Sequence, residues 1–255
     1  MGKIIAITNQ KGGVGKTTTA VNLSSALGAM NKKVLLVDID PQGNATSGLG
    51  VSKSNSEASS YEMMLGQISA KDAAISTEFK NVFIVPSDIK MAGADLEISE
   101  LENRESILKR GLASAREEYD FIIIDCPPSL NLITINALSA TDSILVPIQC
   151  EYYALEGLAQ LTNTVSRIKR AYNSHLEFEG VLFTMYDGRL NLTQEVAAQV
   201  KKFFPKQVFK TVIPRTVRLS EAPSFGQPIN YFDKRSKGAE AYDKLAKEII
   251  KNNKK

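Results

Sequence analysis

The chain has 255 residues, 43% hydrophobic and 23% charged, with a net charge of +3. That length suits one sizeable α/β domain, no apolar run approaches the roughly 18 residues of a membrane span, and two cysteines are too few for a disulfide framework. With His175 the only histidine and no Cys-x-x-Cys, a Cys/His zinc module is excluded as well, and reduced thiols point to a cytoplasmic setting.

The first predicted element is a strand at 3–8 (KIIAIT), entered with no signal-like segment before it. The loop NQKGGVGKTTT follows and leads into a helix over 16–30. Strand before and helix after is the context a phosphate-binding loop requires. Gly12, Gly13 and Gly15 let the backbone turn tightly and aim its N–H groups at phosphate oxygens. The stretch Lys11, Gly12, Gly13, Val14, Gly15, Lys16, Thr17, Thr18 is therefore the expected nucleotide-binding segment. Lys16 is expected on the β- and γ-phosphates and Thr17 on Mg²⁺. One detail departs from the G-x-x-x-x-G-K-[ST] pattern: its opening glycine is replaced by Gln10, and a second lysine, Lys11, stands next to it.

Next comes a strand at 33–38 ending in VDIDP, which places Asp38 and Asp40 beside that loop. Asp40 is positioned to orient the water that attacks a γ-phosphate, and Asp38 to contribute on the Mg²⁺ side. SKSNSEASS (52–60) reads as a polar surface loop. A strand at 81–86, a long helix at 94–118 and a strand at 120–125 follow; the last ends in Asp125, expected to hold Mg²⁺ through its water shell. Turn capping is the structural alternative for Asp38 and Asp125, and Asp40-Pro41 is also a common turn dipeptide. Helices at 131–140, 154–172, 192–204 and 238–251 alternate with strands at 143–148, 179–186 and 207–214, and KNNKK reads as a frayed tail. Near-continuous apolar strands alternating with helices predict an α/β fold: a doubly wound, mostly parallel sheet with helices on both faces. No composition break divides the chain, so residues 1–255 are expected to form a single domain. The absence of an [NT]KxD motif favours ATP over GTP.

The charge is unevenly spread. Residues 187–255 carry 15 Lys and Arg against 7 Asp and Glu, whereas the rest of the chain is net acidic. This suggests a surface that faces a polyanion; scattered, solvated lysines are the alternative.

KGGVGKTTT, VDIDPQGNATSGLG, DCPPSLNLITINAL, TMYDGRLNLT and VIPRTVRLSEAPSFGQPI together resemble the ParA/Soj chromosome-partition ATPases, members of the deviant Walker A group of P-loop NTPases. The resemblance runs through nearly the whole chain. It implies an ATP- and Mg²⁺-dependent sandwich dimer in which Lys11 reaches the phosphates bound by the other subunit and Gly12 lies at the seam. It implies that Asp40 serves hydrolysis, that the segment after Asp125 senses the γ-phosphate, and that Met185, Pro214 and Thr216 line the adenine. It further implies nonspecific DNA binding through Arg189 and Arg218, with Lys234 and Arg235 adding phosphate contacts, and hydrolysis stimulated by a ParB-type centromere-binding protein. A MinD-like protein cycling on a membrane through an amphipathic C-terminal helix (Tyr242, Leu245, Ile249) is the nearest alternative. An iron–sulfur reductase using Cys126 and Cys150 and a purely regulatory DNA-binding switch are more distant ones.

Overall fold

The computed structural model describes residues 1–52 and 58–253. Its strands are β1 Lys3–Ile7, β2 Val34–Asp38, β3 Ile75–Ser76, β4 Val82–Val85, β5 Phe121–Asp125, β6 Ser143–Gln149 and β7 Glu177–Thr184. They form one sheet in the order β3-β4-β2-β5-β1-β6-β7, parallel throughout except where β3 meets β4. The helices are α1 Lys16–Ala29, α2 Asn44–Gly48, α3 Ser60–Met64, α4 Ala70–Ala73, α5 Ala94–Ser99, α6 Ile107–Gly111 and α7 Ala115–Glu118. They continue with α8 Leu132–Ala140, α9 Ala154–Ala171, α10 Asn191–Phe203, α11 Val217–Glu221, α12 Ile229–Phe232 and α13 Lys237–Asn252.

Alternate residues of the central strands feed two cores. Ile4, Ala6, Leu35, Val37, Ile122 and Ile124 face one side, where α8, α9 and α10 pack. Ile5, Ile7, Val34, Leu36, Phe121 and Ile123 face the other, under α1 and α13. Burial on both faces is why these strands read as unbroken apolar runs, and the doubly wound sheet is the one expected. Tyr242, Leu245 and Ile249 are fully buried, and the Tyr242 hydroxyl lies 3.3 Å from Thr19 Oγ1 of α1. The C-terminal helix is therefore a packing element with its apolar face spent, not a free membrane anchor. Among the described residues no helix is long and apolar enough to cross a membrane.

Four local expectations are corrected. The helix predicted over 94–118 is broken into α5, a 3₁₀ turn at Arg104–Ser106, α6 and α7, with Asn103 in the left-handed region at φ 51°. The buried Asn136 of α8 makes the break tolerable. Its amide donates to the Arg104 carbonyl at 2.7 Å, and its oxygen accepts the Leu108 N–H at 3.2 Å, so backbone groups freed by the break find partners. The strand predicted at 207–214 is not continuous. Phe209 and Ile213 donate to Val181 and Phe183, but the N–H groups of Lys210 and Thr211 turn away to the Glu248 carboxylate of α13 at 2.8 and 3.1 Å. Only isolated bridges remain, Val208 to Val181 of β7 and Pro214 to Tyr186 just past its end. The loop expected at 52–60 falls largely on residues outside those described, but Ser59 and Ser60 are buried, and Ser59 forms a capping box with Glu62 at the start of α3. The tail is corrected for its first three residues, since α13 runs to Asn252 and Asn253 donates to Glu179 at 2.6 Å; its last two lie outside the described residues.

Gly180 in β7 is required by the irregular segment beside it, because a Cβ there would come within 2.5 Å of the Phe209 ring. Gly180→Ala is expected to destabilise the protein by about 1–3 kcal/mol in urea denaturation, through overpacking. In contrast, Gly157→Ala, on α9 with open space around its Cβ, is expected to be neutral or to stabilise by up to about 1 kcal/mol.

Candidate nucleotide site

The loop after β1 is held before it turns. Asn9 donates to the Pro147 carbonyl at 2.8 Å and accepts the Lys11 N–H at 3.0 Å. Gly13 and Gly15 then adopt φ of +73° and +85°, which side-chain-bearing residues rarely take. Val14 between them is buried, and its carbonyl accepts the Thr184 hydroxyl at 2.8 Å, tying the loop to β7. Gly15 begins α1 without a side-chain cap and without an acidic residue in the first turn, so the helix N-terminus keeps its N–H donors for an anion.

A cavity of about 590 Å³ opens onto this loop, a size suited to a nucleotide. Gly12, Gly13, Gly15, Lys16, Thr17 and Thr18 form one wall, Asp40 a second, and Met185, Pro214 and Thr216 a third. The structure thus brings together the phosphate-loop residues and the three positions expected near a base. It also adds Gln42, Asn44, Pro128 and Arg215. Gln42 and Asn44 stand in the polar run after Asp40, a signal available in the sequence; Arg215 had none beyond its neighbours. Met185 is itself in the left-handed region at φ 48°, and its sulfur accepts from the Gln149 amide. Such strain in a non-glycine residue persists only where the surroundings enforce it.

The carboxylates differ in how they are used. β2 and β5 pair in register, setting Asp38 beside Asp125, and both are completely buried. Asp38, expected on the metal side, is engaged structurally: Oδ2 accepts the Thr46 N–H at 2.9 Å and hydroxyl at 2.8 Å, and Oδ1 the Asp40 N–H at 3.2 Å. Burial still pushes its pKa up to about 6. Asp125 has no well-formed hydrogen bond to either oxygen. Burial, then Asp38, raise it well above the usual carboxylate range, while the nearby Thr17 hydroxyl and Lys16 work the other way. A buried carboxylate left without donors, next to a hydroxyl that lines the cavity, is a donor set that fits a Mg²⁺ ion. Among the described residues no three carboxylate, cysteine or histidine side chains converge as a ready-made cage. Asp40 is nearly buried, and its Oδ1 accepts the Gln42 N–H at 2.9 Å.

The two lysines point to different places. Lys16 is 7% exposed, donates to the Lys11 carbonyl at 3.0 Å, and has its pKa lowered chiefly by burial. Lys11 does not line the cavity of its own chain; its ammonium lies outside, paired with Glu151. Arg189, on the turn after β7, is clamped by both oxygens of Asp187 at 2.8 and 2.6 Å. Arg218 lies between Glu221 and Asp233 at 3.0 and 3.4 Å, next to exposed Lys234 and Arg235. Arg218 directly precedes the cavity-lining Leu219 in the chain. Cys126 is buried with its thiol pushed up, and Cys150 is half-buried and pushed up to about 11.

Asp125→Asn tests the orphaned carboxylate. Removing a buried charge beside Asp38 is expected to leave the melting temperature of the free protein unchanged or a few degrees higher, while the Mg²⁺-dependent part of the ATP-induced thermal shift disappears. A free protein destabilised by more than about 2 kcal/mol would instead make Asp125 a structural residue.

Comparison with known proteins adds an independent line. A family model described as an AAA domain matches residues 2–178. The sporulation initiation inhibitor protein Soj of Bacillus subtilis is 56% identical over 99% of this chain and all of its own length. The chromosome partitioning protein ParA of Myxococcus xanthus is 50% identical over 98% of this chain and 89% of its own. Among solved structures, the cobyrinic acid a,c-diamide synthase of Mycobacterium smegmatis, with a bound ATP analogue and magnesium, superposes with a TM-score of 0.86 at 35% identity, covering 99% of this chain and 96% of that one. A phosphate loop with an outward second lysine, on this sheet and at these identities, leaves one assignment: the chain belongs to the Soj/ParA family of chromosome-partitioning proteins.

Proposed function

We propose that this protein is a Mg²⁺-dependent ATPase whose ATP-bound dimer clamps DNA without reading sequence and releases it after hydrolysis stimulated by a ParB-type partner. The observation that carries this reading is the division of labour between the two lysines. Lys16 is folded into its own cavity, whereas Lys11 is exposed and faces away from it. A lysine that cannot serve its own phosphates is available to those of a second copy, where its charge ties association to the presence of a triphosphate. Gly12, with no atom within 4 Å of a built Cβ, leaves the loop surface open to that approach.

In this reading the N–H groups of Gly13 to Thr17 and the α1 N-terminus hold the β- and γ-phosphates, and Lys16 neutralises them. A Mg²⁺ ion would be held by the Thr17 hydroxyl and by Asp125, and would supply positive charge against the phosphates. Asp40, on the cavity wall, orients the attacking water with the carboxylate oxygen not committed to Gln42. Pro128, in the segment after Asp125, borders the same cavity and reports its contents to α8. Met185, Pro214 and Thr216 flank the adenine. DNA phosphates exchange with Asp187, Glu221 and Asp233 for the two arginines; surface ion pairs are worth too little to prevent it. Lys234 and Arg235 add to the same footprint, and doubling the surface in a dimer is how ATP gates binding. Residues 1–255 act as a single domain, and the protein works in the cytoplasm on the nucleoid.

The test is binding of Asp40→Ala to random duplex DNA with ATP and with ADP across a salt series. Binding with ATP alone is expected, weakening by about 10³-fold between 50 and 200 mM salt if some six phosphates are contacted. An added Arg189→Ala is expected to flatten the salt slope. Equal binding with both nucleotides overturns the ATP-gated clamp.

A further inference from the structure

Most glycines of this chain have a reason within it: a left-handed backbone, or an atom that a Cβ would meet. Among the described residues only Gly12 and Gly157 have neither. Gly157 stands at the end of the first turn of α9, where glycine is a poorer helix former than almost any other residue, and no contact inside the chain offsets that weakness. Four positions before it, and so on the same side of the helix, is Tyr153. Tyr152 and Tyr153 are 77% and 67% exposed, and their rings meet edge to face with centroids 5.1 Å apart. The turn that carries them is firmly built. The Glu151 N–H donates to the Gln149 carbonyl at 2.9 Å, the Ala154 N–H to the Glu151 carbonyl at 3.0 Å, and the Gly157 N–H to the Tyr153 carbonyl at 3.2 Å. The two rings are therefore presented outward on a stiff element, which lowers the entropy lost when they are covered.

This patch is continuous with Lys11. β6 lies next to β1 in the sheet, so the turn after β6 and the phosphate loop after β1 leave the same edge side by side, and Glu151 pairs with Lys11. Gly12, the other glycine without an internal reason, follows Lys11 and lines the mouth of the nucleotide cavity. Two open glycines, an exposed aromatic pair and an outward lysine thus share one surface. Rigid aromatics beside bare backbone are what close approach of another polypeptide uses. Lys11 on that surface identifies the polypeptide, because the phosphates it can serve are those of a second copy.

We infer that Tyr152 and Tyr153 anchor the contact between two ATP-loaded copies of this chain, and that Gly157 keeps clear the helical surface on which the other copy lies; the inference rests on the reading of Lys11 as a lysine that reaches a second copy's phosphates. A two-fold pair uses the same patch on both copies, so each anchor counts twice.

The test is association followed by light scattering over a protein concentration series with ATP and Mg²⁺, in the Asp40→Ala background so that ATP is not consumed. Three further changes are compared with that parent: Tyr152→Ala with Tyr153→Ala, Gly157→Gln, and Tyr153→Trp. None of these positions lines the nucleotide cavity, so the ATP-induced rise in melting temperature, measured at a concentration where the parent is monomeric, is expected to match the parent's. The concentration giving half-maximal association is expected to rise roughly 30-fold or more in the alanine pair, as for loss of an interface hot spot. A comparable rise is expected in Gly157→Gln, with a nucleotide-free melting temperature unchanged or higher. The chain has no tryptophan, so Tyr153→Trp carries a single reporter, whose emission is expected to move to the blue with ATP and not with ADP. Association curves for the alanine pair or for Gly157→Gln that superpose on the parent's overturn the patch as the contact, and so does an emission that ATP-driven association leaves unmoved. If the alanine pair also loses its ATP-induced thermal shift, its fold is impaired and the other two variants decide. A parent that does not associate with ATP overturns the reading of Lys11 itself, a separate result.

Discussion

The structure is organised around two carboxylates buried side by side at the ends of adjacent parallel strands. Asp38 and Asp125 stand in register with no exposure to solvent, an arrangement that costs free energy unless each is compensated. Asp38 is compensated from within the chain. Thr46 gives it both a backbone and a side-chain donor, and the Thr46 hydroxyl oxygen in turn accepts the Ser87 N–H at 3.0 Å. The start of α2 and the end of β4 are thereby fixed to the tip of β2. Asp125 is left without such partners, beside Lys16 and Thr17. The fold uses one carboxylate to hold the loops around the cavity and leaves the other without a hydrogen-bond partner.

The same economy governs the basic groups. Lys16 is desolvated and directed inward, while Lys11, five positions earlier, is kept outside by Glu151. Arg189 and Arg218 are likewise held by carboxylates of their own chain. These exposed pairs are individually weak, so they orient the cations without withdrawing them from stronger, multiply charged partners.

Helix breaks and strand exits are where sequence patterns lose their hold. The run 94–118 carries helix-compatible apolar spacing, but its continuity depends on Asn136, a residue far along the chain that satisfies the broken backbone. The strand-like run 207–214 is diverted by Glu248, again a distant side chain. The one-turn helices α2, α3, α4, α11 and α12 are too short to show a period. The cavity's loop and the carboxylates at strand tips were legible because their chemistry requires fixed residue types at fixed places after a strand. Glu151 and Arg215 were not, since nothing local marks an exposed residue that matters only through what lies across from it.

The sequence by itself determined the two-sided parallel sheet, through apolar runs that only burial on both faces explains, and the phosphate loop, through glycines and a lysine whose spacing serves backbone donors and an anion. Only the tertiary structure decided which groups serve which purpose: that Asp38 is bound to Thr46 while Asp125 is not, and that Lys11 faces outward while Lys16 faces in. The reason is physical. Burial, desolvation and hydrogen-bond partners are set by residues remote in the chain, and these change what a carboxylate or an ammonium can do without changing its place in the sequence.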